Sequence, residues 1–166
     1  MKFQDIELKH FFDLSHEEKL MILDWRNDIN VRKWMYSSEI VLEKNHLNFI
    51  ESLKKNDAKQ YFSVFKDGKI IGVVYFTKIN KEKNKCEFGL YANPFLKTVG
   101  TGSLLMETGV RYAYDFLKMT KLKLEVFEEN LRAQSLYKKY GFKEMAEKYV
   151  NERKVICMEL VKDVVK

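Results

Sequence analysis

Residues 97–102 read Lys97-Thr98-Val99-Gly100-Thr101-Gly102 and stand directly before a long amphipathic stretch. Two glycines one residue apart let the backbone turn tightly with no Cβ in the way. Backbone N–H groups in such a turn can converge on an anion, and the helix that follows adds the positive end of its dipole. The segment therefore fixes a strand-to-helix turn, and it fits a ligand that carries phosphate. A plain turn has the same sequence, so the loop alone does not decide between the two.

The elements around the loop come from periodicity and turn chemistry. Residues 3–9 alternate and predict an edge strand. Ser15-His16-Glu17-Glu18 has capping-box spacing and opens a helix that turns Leu20, Ile22, Leu23 and Trp25 inward and ends near Asn27 or Asp28. Residues 30–36 suggest a short helical piece, and 42–54 a helix with Leu47, Phe49, Ile50 and Leu53 inward. Strands over 61–65 and 69–78 flank Asp67-Gly68, a hairpin signal, and a polar turn at 81–84 leads to a strand over 85–92. After the loop come a helix over 102–118, a strand marked by Leu122, Leu124 and Val126, a helix over 130–140 capped by Asn130, and a hairpin over 142–149 and 153–161. The order β-α-α-β-β-β-α-β-α-β-β predicts a mixed, mostly antiparallel α/β (α+β) sheet with helices on both faces.

Seven glycines and a single proline leave no room for a linker, so one domain over 1–166 is expected. No apolar run is long enough to span a bilayer and the N-terminus lacks a signal-peptide pattern, so the expected location is the cytoplasm, away from membrane. The formal charge of +6 suits an anionic partner. The 24 acidic residues are mixed among the 30 basic ones without a dense Lys/Arg block, which speaks against a nucleic-acid binder. A small polyphosphate such as CoA or a nucleotide sugar fits the balance. Cys86 and Cys157 lie in apolar strand-like segments with no Cys or His at metal-ligand spacing, so buried reduced thiols and no metal are expected.

A second segment, Asn130-Leu131-Arg132-Ala133-Gln134-Ser135-Leu136-Tyr137-Lys138-Lys139-Tyr140-Gly141-Phe142, narrows the reading. Together with residues 97–102 it resembles the acyl-CoA-binding signature of the GCN5-related N-acetyltransferases, the GNAT superfamily. The resemblance implies a seven-stranded sheet whose two central parallel strands, over 85–92 and 120–126, splay apart to admit acetyl-CoA. It implies that Leu90, Tyr91 and Ala92 flank the cosubstrate, that a backbone N–H near Tyr91 stabilises the oxyanion, and that the amides from Thr98 through Val99, Gly100, Thr101 and Gly102 to Ser103 hold the pyrophosphate. Lys97 stands where the family usually has Arg or Gln, keeping the charge but losing the bidentate fork. Asn130 is a candidate for the pantetheine arm or simply a cap. Lys139, like Lys138, is a candidate for a CoA phosphate or a solvated charge. Tyr137 matches the family's general acid, which protonates the departing thiolate, against the plain reading of a core aromatic. Tyr140 falls on another face. The base is open among Glu125, a water that it holds, His46 and Glu87. Glu125 lies opposite Leu122, Leu124 and Val126 on its strand. Poor hydration there would raise its pKa, and an ion pair with Lys123 is the alternative.

The acceptor is read from the N-terminal third. Trp25-Arg26-Asn27, Val31-Arg32-Lys33-Trp34-Met35-Tyr36 and His46-Leu47-Asn48-Phe49-Ile50 interleave aromatics with cations, a composition able to stack a base or sugar while pairing phosphate. The bland alternative puts the tryptophans in the core and the arginines in solvent. The arrangement is similar to that of a narrower group within the superfamily, the N-acetyltransferases of pseudaminic acid biosynthesis. These acetylate the C4 amine of UDP-4-amino-4,6-dideoxy-N-acetyl-β-L-altrosamine. That similarity implies contacts from Arg26, Arg32, His46, Thr77 and Lys78 to the nucleotide sugar, and an apolar wall of Met35, Tyr36, Phe49 and Tyr91 for its methyl and acetamido groups. Acetylation of a protein N-terminus, as by ribosomal-protein acetyltransferases, and a non-catalytic acyl-CoA-binding module stay open as alternatives. The sequence leaves the oligomeric state open, a homodimer being compatible.

Overall fold

The computed structural model describes residues 2–3 and 5–163; Gln4, inside the strand expected over 3–9, lies outside them. Among the described residues eight strands form one sheet in the order β1-β2-β3-β4-β5-β6-β8-β7. They are β1 (Lys2–Phe3), β2 (Ile6–His10), β3 (Gln60–Lys66), β4 (Lys69–Asn80), β5 (Lys85–Ala92), β6 (Lys121–Phe127), β7 (Lys143–Val150) and β8 (Arg153–Val161). Seven of these answer the seven expected strands, and the two-residue β1 adds to the edge by pairing antiparallel with β2. Every pairing is antiparallel except β5 with β6.

The helices are α1 (His16–Asn27), α2 (Ile29–Arg32), α3 (Glu43–Ser52), α4 (Thr101–Asp115) and α5 (Leu131–Lys139). α1 begins as its sequence dictates. The Ser15 hydroxyl accepts from the Glu18 N–H at 3.1 Å while the Glu18 carboxylate accepts from the Ser15 N–H at 2.9 Å. The short helical piece expected over 30–36 closes earlier, at Arg32, and irregular chain runs from there to Leu42. The β3–β4 turn has Asp67 at φ 50° and Gly68 at φ 79°, the left-handed pair that a two-residue hairpin needs.

Strand alternation sorts side chains into two cores. On one face Phe76, Phe88, Leu122, Leu124 and Met158 pack with Leu105 and Met106 of α4 and Tyr137 of α5. On the other, Val73 and Ile70 pack with Ile22 and Trp25 of α1 and Ile50 of α3. α4 and α5 thus cover one face and α1–α3 the other. Among the described residues no helix is long and apolar enough to cross a membrane.

Replacing Ser15 with Ala removes one half of the capping box and should cost about 1 kcal/mol. For a chain of this size that corresponds to a melting temperature lower by roughly 2–4 °C. Thermal unfolding followed by circular dichroism measures it, and an unchanged midpoint would show that the cap contributes nothing.

Candidate active site

The one parallel pairing among the described residues is short. β5 and β6 match only at Lys85–Lys121, Cys86–Leu122 and Glu87–Lys123. Beyond that point β5 stays with β4 through Gly72–Ala92, Val73–Tyr91 and Val74–Leu90. β6 stays with β8 through Glu125–Cys157 to Phe127–Val155. The two strands therefore splay, and the facing edges of Phe88–Ala92 and Leu124–Phe127 are left without each other as partners.

At the open end, β5 runs through Asn93–Val99 into α4. Gly100 is the N-cap of α4 at φ 89°, a left-handed backbone that other residues adopt only with strain, and no side chain caps the helix. The first-turn N–H groups of α4 thus lack an intrahelical or side-chain acceptor and face the loop. A Cβ on Gly102 would lie 3.3 Å from the Leu136 side chain, so α5 packs closely over this first turn. Thr101 Oγ1 donates to the Thr98 carbonyl at 3.2 Å, which tightens the turn. Lys97, Thr98 and Val99 are exposed beside it. An uncapped helix start at the mouth of a strand gap fits an elongated ligand with a phosphate at one end.

α5 brings the second motif to the same gap. Asn130 accepts from the Ala133 N–H at 3.2 Å, so its oxygen serves as the cap. Tyr137 is buried, and burial together with the neighbouring Tyr75 hydroxyl raises its pKa above the ordinary phenol value, which keeps it protonated at neutral pH. Tyr140 is occupied elsewhere, donating to Glu107 at 2.8 Å and clamping α5 to α4. Lys138 pairs with Glu144 at 3.1 Å, while Lys139 lies exposed over the Tyr140 ring.

On the opposite face of the sheet is a cavity of about 360 Å³. Arg26, Met35, Tyr36, His46, Phe49 and Tyr91 line it together, joined by Phe11, Ser37, Val41, Asn45, Tyr61 and Tyr75. Tyr61 and Tyr75 stack at 4.8 Å with planes 5° apart, and Tyr75 lies over Gly89, where an added Cβ would sit 2.2 Å from its ring. Arg26 donates from Nη2 to the Ser37 carbonyl at 3.3 Å, but its Nη1 is buried without a hydrogen-bond partner among the described residues. That is a cation looking for an acceptor. His46 Nε2 lies 2.8 Å from the Lys19 carbonyl, which can only accept, so Nε2 carries the hydrogen in the neutral ring and Nδ1 keeps the lone pair. Burial and nearby Arg26 lower the His46 pKa, against the opposing pull of the Lys19 bond, so the ring is neutral at pH 7.

Three residues named for the acceptor are not on this cavity. The Arg32 guanidinium is bound to the Asn27 and Ser38 carbonyls at 3.1 and 2.9 Å and acts as a tether. Thr77 pairs with Glu87 in the β4–β5 ladder. Lys78, at φ 49° beside a register shift in β4, pairs with the Glu87 carboxylate at 3.0 Å.

Glu125 corrects two expectations. Its ion pair is with Lys148 of β7 at 2.6 Å rather than with Lys123, which pairs with Glu159 at 3.4 Å. Burial alone would raise its pKa, but the bonds from Lys148 and from the Tyr36 hydroxyl outweigh it and hold the carboxyl below the ordinary range. The same network raises the Tyr36 pKa, with burial the largest cause, the hydrogen bond to Glu125 next and the Glu125 charge after it. Glu125 lies behind Tyr36 and not on the cavity wall. Lys148 carries no local signal; it comes from a hairpin 23 residues away in sequence. The thiols are free: Cys86 is buried with its pKa pushed up to about 12, while Cys157 is only half-buried, less than its sequence suggests. Among the described residues no cluster of three or more His, Cys, Asp or Glu could hold a metal.

Residues 19–142, which contain the strand gap, the uncapped helix start at its mouth and the buried tyrosine beside it, match the Acetyltransferase (GNAT) family. The chain belongs to that family and is an acetyl-CoA-dependent N-acetyltransferase. It is 41% identical over 137 residues to the acetyltransferase PseH of Campylobacter jejuni, covering 82% of this chain and 84% of that one. The crystal structure of Campylobacter jejuni N-acetyltransferase PseH in complex with acetyl coenzyme A superposes with a TM-score of 0.77 at 34% identity, covering 95% of this chain and 99% of that one. Spermidine N-acetyltransferase from Vibrio cholerae, at 21% identity and a TM-score of 0.84 over 95% of this chain and 96% of that one, shares the fold.

Replacing Lys148 with Met should raise the Glu125 pKa, because the opposing effect of burial is then less compensated. A folded-state pKa below the unfolded one stabilises the fold above the unfolded value and loses that contribution as pH falls through the folded value. The stability advantage of the unaltered protein over K148M should therefore be full at pH 7 and shrink on acidification below the ordinary carboxylate range. Carbon-13 NMR titration of the carboxyl, with urea unfolding at pH 7 and pH 3, measures both. An unmoved Glu125 titration would refute the network.

Proposed function

We propose that the chain transfers the acetyl group of acetyl-CoA to the 4-amino group of a UDP-linked 4-amino-4,6-dideoxy sugar, as in pseudaminic acid biosynthesis. The observation that carries this reading is the cavity on the α1–α3 face, where aromatic walls enclose a guanidinium nitrogen without a partner. A nucleotide sugar offers what that lining lacks: acceptor oxygens for Arg26, and apolar methyl and acetamido groups for Met35, Tyr36, Phe49 and Tyr91. Similarity to PseH supports the same acceptor. The lone arginine and the formal charge of +6 disfavour a basic peptide.

In this reading the residues divide between the two faces. The amides from Thr98 to Ser103 hold the pyrophosphate on the start of α4, with Lys97 and Lys139 near the phosphates and the free edge at Leu90, Tyr91 and Ala92 beside the pantetheine arm. Asn130 sets the start of α5. Acetyl-CoA supplies the activated thioester, which the amine attacks directly. No acyl-enzyme is needed, since the raised pKa of Cys86 makes it a poor nucleophile. Tyr137 keeps its proton at neutral pH and gives it to the leaving thiolate. Glu125, ionised across the neutral range, orients the amine or a water through Tyr36 and stores a proton poorly. His46, neutral with its Nδ1 lone pair available, is the basic group on the cavity and takes the proton that the attacking amine loses. We place the reaction in a single domain in the cytoplasm, a compartment where free thiols such as these persist.

Thiol release from acetyl-CoA, measured in parallel with the UDP-4-amino sugar and with basic N-terminal peptides, tests the acceptor. Release with the sugar alone is expected, and release with peptide alone would move the assignment to protein acetylation. Tyr137→Phe should lower kcat by about 10²-fold or more while acetyl-CoA affinity stays the same. Equal turnover would remove Tyr137 from the acid role. Gly100→Leu should abolish acetyl-CoA binding by calorimetry, since the φ of 89° is closed to leucine; undiminished affinity would remove the loop from the site.

A further inference from the structure

The segment between α2 and α3 that walls the cavity with Met35, Tyr36 and Ser37 has little regular structure of its own. Its carbonyls are held one by one from outside. Arg26 takes Ser37, Arg32 takes Ser38, and the Asn27 amide takes Val41 at 2.9 Å. The two remaining tethers come from the β7–β8 hairpin, more than a hundred residues away. Arg153 donates from Nη1 to the Lys33 carbonyl at 3.1 Å, and Asn151 donates from Nδ2 to the Tyr36 carbonyl at 2.9 Å.

We propose that the tip of the β7–β8 hairpin, through Asn151 and Arg153, is a positioning element that fixes the acceptor-side wall and so sets affinity for the acceptor without setting affinity for acetyl-CoA. This rests on reading the cavity as the acceptor site. The tip is suited to the task because it is short and its side chains are tied into neighbouring elements. Asn151 and Glu152 both sit at left-handed φ, 50° and 63°, in a two-residue turn. Arg153 stacks 3.7 Å from the centroid of Phe127 and reaches the Trp34 ring at 5.9 Å, so one side chain joins β8, β6 and the wall. Phe127 in turn meets Tyr36 edge-on at 5.6 Å. With its carbonyl held by Asn151 and its ring by Phe127, Tyr36 is aimed at Glu125. Release the tip, and Tyr36 loses the constraint that keeps its hydroxyl on the carboxylate.

Asn151→Asp is the sharp test: it is isosteric and tolerates the left-handed turn but cannot donate to the Tyr36 carbonyl. Steady-state kinetics should show the KM for the UDP-4-amino sugar raised about tenfold and the KM for acetyl-CoA within about twofold of the unaltered protein. Arg153→Ala should do the same and also expose Trp34, raising acrylamide quenching of tryptophan fluorescence above the constant background of buried Trp25. Arg153→Lys, which keeps the charge, should recover part of the loss. An unchanged acceptor KM overturns the proposal, and so does an equal rise in both KM values, which is what general loosening of the fold would give. If the unaltered protein acetylates no UDP-4-amino sugar, the acceptor reading fails. Quenching in R153A then decides the tether by itself, and an unchanged signal overturns it.

Discussion

The structure depends on the parting of β5 from β6 after three matched pairs. Each strand is bound along the rest of its length to a different neighbour, β5 to β4 and β6 to β8, and those antiparallel ladders carry the two halves of the sheet apart. A gap inside a sheet is costly because backbone N–H and C=O groups face it with nothing to bond. It is also useful, since an extended ligand with amide groups of its own can take the place of the missing strand. The uncapped start of α4 at the mouth of the gap extends the same logic from neutral amides to a phosphate.

Strand alternation turns this gap into a meeting place. Phe88, Leu90, Leu124 and Val126 point to the face covered by α4 and α5, where Tyr137 waits. Gly89 and Tyr91 on β5, and Glu125 and Phe127 on β6, face the other way, toward the cavity under α1–α3 and the groups packed behind it. In the proposed reaction the thioester end of one substrate and the amine of the other approach from opposite faces and meet between the strands. Gly89 is part of this arrangement: only without a Cβ can the Tyr75 ring lie against the strand and complete the stack with Tyr61.

Local chemistry was legible in the chain, and long-range register was not. Ser15 and Glu18, Asp67-Gly68 and Asn130 each act within a few residues, and each does in the structure what its spacing implies. The aromatic stack of the cavity shows the limit. A plain two-residue hairpin around Asp67-Gly68 would set Tyr61 opposite Val74. A register shift between Val64 and Phe65 moves the pairing by one, and Tyr61 meets Tyr75 instead. Nothing in the residue types announces that bulge. Glu125 shows the same limit in electrostatics. Its burial could be guessed from strand position, but the sign of its pKa depends on Lys148 and Tyr36, which reach it from 23 and 89 residues away.

Arg26 ties these points together. It lies near Tyr61, Tyr75 and Tyr91 and next to His46, and its charge eases the rise in all three phenol pKa values while depressing that of the histidine. A cation placed among aromatic rings with one nitrogen unbonded is poorly compensated by the protein itself. Its nearest fixed partner, the Ser37 carbonyl, belongs to the wall segment that Asn151 and Arg153 hold in place. In the proposed reading, the charge that attracts an acceptor and the wall that shapes its pocket are therefore linked through one set of bonds, between α1 and the β7–β8 hairpin. An oxygen acceptor delivered by substrate would satisfy Arg26, relieve its pull on His46, and do both only while the wall stays in position.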